Sequence, residues 1–350
     1  MSILKPVNVL RRKLMHSLTK NIGKSYTAKN QGLSTNIEIN RILINRPNHR
    51  LGNLLLITPL LQEIITTFPK CNIDLFVKGS LSPILFENYE NIDKFIQLPK
   101  KPFKHLIKYA QVWLSLKKRR YDIIINIDNS SSSGRLSTQF ANSTYKTFGD
   151  TSEEIKLKHK DFKHLAKYPV YNLREFLFKQ GAEKNENPVP VLNLKLSNTE
   201  IENGKKILND IVNNNKKTIC IFTFATGNKC YSESWWTTFY ERLKTAYSNY
   251  NIIEILPIEN ISKINFKAPT LYSKDVREIG SVIANTEVFI GADSGIMHLS
   301  SSTLTPTVGL FSVTSQDVYE PYGNNSVSIN TNNENIDDYI KIINKILGEN

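Results

Sequence analysis

Between Val288 and Phe311 the chain reads VFIGADSGIMHLSSSTLTPTVGLF, and this stretch restricts the fold more than any other. Val288-Phe289-Ile290 is a short, wholly apolar run, the pattern of a strand buried on both faces in a parallel sheet. Small, turn-tolerant residues follow from Gly291 to Gly295. Ile296–Ser302 then has the length of a short helix, with Asp293 and Ser294 placed to cap it. A Pro-marked turn leads to a second apolar run that ends at Phe311. The helix start offers unbonded N–H groups and the positive end of the dipole, which suits a phosphate. Asp293 would accept a bond from a hydroxyl beside that phosphate. His298, four residues after Ser294, can point up the same helix face. An ordinary capped βαβ connection has the same features, so the stretch alone leaves both readings open.

The same alternation fills most of the chain. Arg41–Arg46 reads as a strand, Pro47–Gly52 as a loop, Asn53–Phe68 as one apolar helix and Ile73–Val77 as the next strand. That βαβ unit implies a right-handed crossover and parallel pairing. Helices near Leu81–Tyr89, over Phe103–Arg119 and over His164–Gln180, and strands at Lys94–Leu98, Asp122–Ile127 and Tyr145–Phe148, continue the first half. Asp128–Gly134, DNSSSSG, follows a parallel strand, where open α/β sheets place ligands; it also reads as a plain flexible loop. Asn185–Pro190, with two prolines, is the best domain boundary. Beyond it Leu192-Asn193-Leu194 reads as a lead-in strand. Strands Thr218–Phe224, Ile252–Leu256 and Ser326–Ile329 alternate with helices Thr199–Asn213, Glu233–Tyr247 and Val276–Ala284. Ala225–Glu233 and Asp317–Tyr322 read as loops, and Ile336–Leu347 as a closing helix. The expectation is a basic arm over residues 1–40, an α/β domain over 41–184, a second over 190–330, and a closing helix within 335–350. Two Rossmann-like domains would face each other across a cleft, with ligands at the carboxyl ends of strands from both.

Composition narrows the partners. Lys and Arg outnumber Asp and Glu by 45 to 32, a formal charge of +13, which suits a nucleotide, an acidic glycan or an anionic lipid surface. Nucleic acid is disfavoured, because no basic patch interleaved with aromatics and no known binding module is visible. Cys71, Cys220 and Cys230 show neither metal spacing nor a disulfide framework, which fits a reducing cytoplasm. No apolar run approaches the ~20 residues of a membrane span, and no signal peptide is visible. Leu10, Leu14 and Leu18 recur at four-residue spacing among Arg11, Arg12, Lys13, Lys20 and Lys24. That is a basic amphipathic helix, suited either to an anionic membrane surface or to docking on the body of the protein. Ser25–Asn40 reads as a linker.

Three motifs resemble glycosyltransferase family 9, the heptosyltransferases of lipopolysaccharide assembly. The resemblance spans about residues 41–347. RILINRPNHRLGNLLLITPLLQEIITTFP, from Arg41, is similar to the family's opening strand, glycine loop and TP-containing helix. DSGIMHLSSSTLTPTVGLF, from Asp293, is similar to its Asp-[Ser/Thr]-Gly-x-x-His segment with the downstream Thr-Pro and strand. GNKCYSESWW, from Gly227, matches more loosely a Lys-x-Trp-Pro element, with Tyr231 and Ser232 in place of Trp and Pro. The resemblance implies a GT-B fold and inverting transfer without a metal ion or other cofactor. It also implies a nucleoside-diphosphate sugar donor, typically ADP-heptose, and a glycolipid acceptor at the inner face of the cytoplasmic membrane.

Carried over position by position, Thr226, Gly227, Lys229, Asp293, Ser294, Gly295 and His298 would bind the donor, with Lys229 neutralising the departing diphosphate. From the residues themselves, Arg46 and Arg50 could meet an anionic acceptor or form surface salt bridges, and Gly52 could let a sugar approach the backbone or simply allow the turn. The sequence departs from the family at Asn53, where members carry the Asp proposed as general base. An amide cannot take that proton at neutral pH. Asp128 or His49 could serve instead, Asn53 could merely orient the acceptor hydroxyl, or the protein could bind a sugar nucleotide without turnover, as a scaffold.

Overall fold

The computed structural model describes residues 17–23, 39–100 and 104–348. The chain forms two compact units. Among the described residues, one takes in those up to His49, Leu60–Phe162 and Ala166–Pro190; the other takes in Arg50–Pro59, Lys163–Leu165 and those from Val191 onward.

The first unit is built on a parallel sheet. Its strands are β1 (Arg41–Asn45), β2 (Asn72–Lys78), β3 (Ile92–Leu98), β4 (Arg120–Asn126) and β5 (Asn142–Thr147), in the spatial order β3-β2-β1-β4-β5. The chain winds outward from β1 to β3 and then returns to lay β4 on the other side of β1. The winding therefore reverses between β1 and β4. Ile42 lies between Ile73 of β2 and Ile123 of β4. Ile42, Leu43 and Ile44 are wholly buried. Each such side chain contributes roughly 1.5–3 kcal/mol of burial, which is why an unbroken apolar run reads as a central parallel strand.

The apolar segment after β1 is two helices, α1 (Leu51–Leu55) and α2 (Thr58–Thr67), rather than the single helix over Asn53–Phe68. Pro59 has no N–H to donate and its ring crowds the carbonyl of Leu55. The Thr58 hydroxyl donates to that carbonyl instead, at 2.8 Å. Contacts divide at the same place, since Arg50–Pro59 belongs with the second unit. The helix expected over Phe103–Arg119 is α3 (Leu106–Ser115). The serine run is not all loop: Ser131 accepts from Gly134 N and starts α4 (Ser132–Phe140). The helix expected from His164 begins four residues later, as α5 (Tyr168–Lys179), with Pro169 in its first turn.

Of the N-terminal amphipathic pattern, Leu10, Leu14 and Arg11–Lys13 lie outside the described residues, as does nearly all of the linker. Thr19–Gly23 is docked on α4. The Thr19 hydroxyl donates to Ser132 Oγ at 2.8 Å, and Arg135 Nε donates to the Ile22 carbonyl at 3.1 Å.

The second unit carries a six-stranded parallel sheet of β6 (Thr218–Phe222), β7 (Asn251–Ile255), β8 (Thr270–Leu271), β9 (Val288–Ala292), β10 (Thr307–Phe311) and β11 (Val327–Asn330). The order is β11-β10-β9-β6-β7-β8, so the winding reverses between β6 and β9. The two-residue β8 was too short to register as a strand in the sequence, and Leu192–Leu194 forms none. Helices α6 (Asn198–Val212), α7 (Glu233–Ala246), α8 (Val276–Ile283), α9 (Gly295–Ser302) and α10 (Ile336–Leu347) complete the unit. Asp317–Tyr322 is not all loop, because Gln316–Tyr319 makes a helical turn. The core on one face is aromatic: Phe239 of α7 meets Tyr339 of α10 edge-on at 5.6 Å, beside the wholly buried Trp236.

Candidate active site

Parallel α/β sheets bind ligands outside the carboxyl ends of their strands, at the point where the winding reverses. In the second unit that point is flanked by the loops after β6, β9 and β10, which are neighbours in the sheet. Asp293 is the first residue beyond β9. Its Oδ2 accepts from Lys229 Nζ at 3.1 Å, in the loop after β6, and from Thr314 Oγ1 at 2.7 Å, in the loop after β10. Its backbone N–H donates to the Leu310 carbonyl at 3.1 Å. One carboxylate thus ties three loops together. The pair is asymmetric: the Lys229 side chain is 30% exposed and that of Asp293 only 6%.

Local sequence explains most of these positions. Gly227–Lys229 is one 3-10 turn, entered from an extended Thr226. Gly227 adopts φ +68°, where a side chain is strained. Ser294, not Asp293, caps α9, its hydroxyl accepting from Met297 N at 3.2 Å. That frees the Asp293 carboxylate for Lys229 and Thr314. Tyr231, where the family element has Trp, stacks on Trp235 at 4.2 Å and hydrogen-bonds Thr331 at 2.8 Å.

The first turn of α1 lies against α9. A Cβ on Gly52 would come within 2.6 Å of His298 Cδ2, and one on Gly295 within 3.1 Å of Leu51 Cβ. Two glycines facing each other therefore permit the approach. His298 is sealed beneath this contact. Burial pushes its imidazole down to about 4, with Asp293 opposing the shift and Lys229 adding to it. Its Nε2 stands 3.9 Å from Asp293 Oδ1. At neutral pH the ring is uncharged and filled in on all sides. Asn53 follows Gly52 on α1 and is half-buried. Arg50, exposed, precedes α1 and accepts from Leu54 N through its carbonyl at 3.1 Å.

The first unit has a counterpart at its own reversal. Arg46 is the first residue after β1, and Asp128 the second after β4. Arg46 Nη1 donates to Asp128 Oδ2 at 2.7 Å. Asp128 Oδ1 accepts from the Ser130 N–H at 3.0 Å and the Ser130 hydroxyl at 2.6 Å. Tyr168 donates its hydroxyl to the carbonyl of Ile127, the residue before Asp128. Here the exposures are reversed, 5% for the Arg46 side chain and 26% for Asp128. Two residues expected in separate roles are one ion pair. His49 is exposed, its backbone N–H donating to Asn48 Oδ1 at 2.8 Å and its Cβ near Gly79.

Thr314, Ser130 and Tyr168 escaped the sequence reading. Thr314 could have been found from its place just past a strand's carboxyl end. Ser130 lies in the loop past the carboxyl end of β4, a place that carries the same signal, whereas Tyr168 carries none. Among the described residues no three His, Cys, Asp or Glu converge in the manner of a metal site, and no helix is long and apolar enough to cross a membrane. The three cysteines are free.

A family model described as glycosyltransferase family 9 (heptosyltransferase) matches residues 109–342. The match includes Asp128, Lys229 and Asp293–His298 and leaves Arg46–Asn53 outside. Lipopolysaccharide heptosyltransferase 3 of Escherichia coli is 22% identical over 297 residues, covering 79% of this chain and 85% of its own. A glycosyltransferase family 9 structure from Veillonella parvula superposes with a TM-score of 0.70 at 15% identity, covering 91% of this chain and all of the other. The E. coli heptosyltransferase WaaC with ADP gives 0.64 at 15% identity, covering 87% and 99%. E. coli ADP-heptose lipopolysaccharide heptosyltransferase II gives 0.67 at 14% identity, covering 88% and 98%. These likenesses identify the fold as GT-B, with two Rossmann-like domains.

Proposed function

The chain belongs to glycosyltransferase family 9 and is a glycosyltransferase, and from that premise we propose that it moves a heptose from ADP-heptose to a lipopolysaccharide-type acceptor, inverting the anomeric carbon without a metal ion. The observation that carries this is the Lys229–Asp293–Thr314 cluster. It offers solvent one ammonium group and the N-terminus of α9, while keeping its carboxylate buried. A diphosphate needs those charges and no free anion beside it.

In this reading the second unit holds the donor. Lys229 and the first N–H groups of α9, from Ser294 and Gly295, take the diphosphate. Thr226 and the open backbone at Gly227 contact the same phosphates. Asp293 accepts from a donor hydroxyl through Oδ1, the oxygen that Lys229 and Thr314 leave. His298 positions the Gly52 turn and stays neutral. As the acceptor oxygen bonds to the anomeric carbon, the bond to the diphosphate breaks and its electron pair leaves on phosphate oxygen. Lys229 stabilises that charge, which supports transfer without a metal. The acceptor proton goes to Asp128, which Arg46 and Ser130 hold in place. Gly52 and Arg50 meet the acceptor, and Asn53 orients its hydroxyl. The acceptor being a glycolipid, the protein works in the cytoplasm at the inner face of the membrane.

A second reading, a sugar-nucleotide-binding protein without turnover, is favoured by the amide at Asn53. Both readings separate in one experiment. Sugar nucleotides are screened by thermal shift, and the best is incubated with a lipopolysaccharide core acceptor in excess chelator, with the product's anomeric configuration read by NMR. An inverted product sustains the first reading. A thermal shift with no transfer sustains the second, and no shift with any nucleoside-diphosphate sugar sinks both.

A further inference from the structure

Helix α3 is apolar on two faces, and the first unit covers only one. Tyr109, Val112 and Trp113 pack on the cluster that holds Leu43, Phe76 and Tyr121. The other face is outward: Leu106 is 61% exposed, Ile107 78% and Leu114 60%, with Ala110 exposed among them. At 100° per residue these four fall within a sector of about 100°, a continuous apolar row. No residue of α3 is fully buried, so the helix is held on one side and bare on the other. Three large aliphatic side chains bare on one helix are an unusual patch for a surface that stays in water.

The chemistry around the row says what covers it. Lys104, Lys108, Lys117 and Lys118 are all exposed. From Lys94 to Tyr121 the chain carries nine Lys or Arg and no Asp or Glu, with Arg119 paired to Asp74 and Asp93. Lys117 also lines a hollow with Ile22, Gly23 and Phe140, so it neighbours the docked end of the N-terminal segment. Leu18, just before it, is 65% exposed. A second copy of the chain fits poorly: a two-fold contact would set these lysines against themselves. Protein interfaces also deplete lysine. Lysines on long stems around exposed aliphatics suit a bilayer, where the stems lie along the apolar region and the ammonium groups reach lipid phosphates.

We propose that the outward face of α3, with Leu106, Ile107 and Leu114 entering the headgroup region and the flanking lysines meeting phosphates, seats this protein on an anionic phospholipid bilayer. The inference deepens the glycolipid reading and rests on it for its purpose. Its test uses no sugar nucleotide, so the two fail separately.

Full-length protein is sedimented with vesicles of phosphatidylglycerol and phosphatidylcholine, and with phosphatidylcholine alone. Binding only to the anionic vesicles is expected. The triple variant Leu106→Gln, Ile107→Gln, Leu114→Gln should lose at least about tenfold in partitioning. Lys117→Glu with Lys118→Glu should lose roughly fivefold for each cation removed. Unchanged thermal melts in both variants confirm intact folding, since every substituted side chain is exposed. Wild-type protein that stays in the supernatant overturns the proposal, as do variants that sediment like wild type. A wild-type dimer that the triple variant converts to a monomer, by light scattering, assigns the face to a second copy and also overturns it.

Discussion

The two sheets place a cation and a carboxylate at the same topological position and turn them in opposite directions. At the β1/β4 reversal the cation is buried and the carboxylate faces out; at the β6/β9 reversal the carboxylate is buried and the cation faces out. Neither pair is chiefly a stability device. Desolvating an ion pair offsets much of its attraction, so a half-buried pair is weak evidence for stability. Each pair turns one sign of charge outward while its buried partner holds that group in position, and in the proposed reaction the outward group is the one that meets the ligand. A carboxylate suits a proton acceptor, and an ammonium suits a leaving diphosphate.

The largest effects should come from erasing the outward charge. Asp128→Asn keeps the shape and removes the proposed proton acceptor, so kcat should fall by roughly 10²–10⁴ with donor affinity unchanged; a loss under tenfold would take Asp128 out of that role. Lys229→Ala should cost about 10²–10³ in kcat, with part recovered in Lys229→Arg. If Lys229→Ala turned over normally, the lysine would serve only to neutralise Asp293, and the contrast between the two pairs would collapse.

A third effect belongs to the second unit. Folded His298 stays neutral to about pH 4, whereas the unfolded chain takes up the proton near 6.5. The unfolded state therefore binds more protons between those values. Stability is full above about pH 6.5 and falls as pH drops toward 4, by up to about 3 kcal/mol. Chemical denaturation across that range should show the slope in wild type and lose it in His298→Gln.

Smaller effects test the glycine contact. Gly52→Ala sets a methyl 2.6 Å from the His298 ring and should cost about 1–3 kcal/mol in urea denaturation. The milder approach at Gly295, 3.1 Å, should make Gly295→Ala cost less. Last, Asn53→Ala should lower kcat by less than about tenfold. A rate near zero with intact donor binding would move the chemistry from Asp128 to the α1 turn.

Much of this was legible in the chain. The central strands are unbroken apolar runs, so β1, β4, β6, β9 and β10 could be placed to within a residue or two. The α10 boundaries matched at both ends, because Asn335 caps the start and Gly348 takes the left-handed turn that stops it. Errors fell where a long-range contact or a proline overrode the local pattern. The serines before Arg135 are poor helix formers, yet α4 forms because Arg135 is anchored on Gly23 and Asp150. His164 continues the helical pattern of α5, yet its ring bonds the Glu320 carbonyl at 2.8 Å instead.

The sequence by itself determined the parallel α/β class, the order of its elements and the capped turn at Ser294. These rest on side-chain period and on hydrogen bonds between residues three or four apart. Tertiary structure alone decided which charges meet. Arg46 finds Asp128 across 82 residues because β4 lies beside β1, and Lys229 finds Asp293 across 64 because β9 lies beside β6. Which partner of each pair faces water depends on how deeply neighbouring loops bury it, and no local pattern of residues records that.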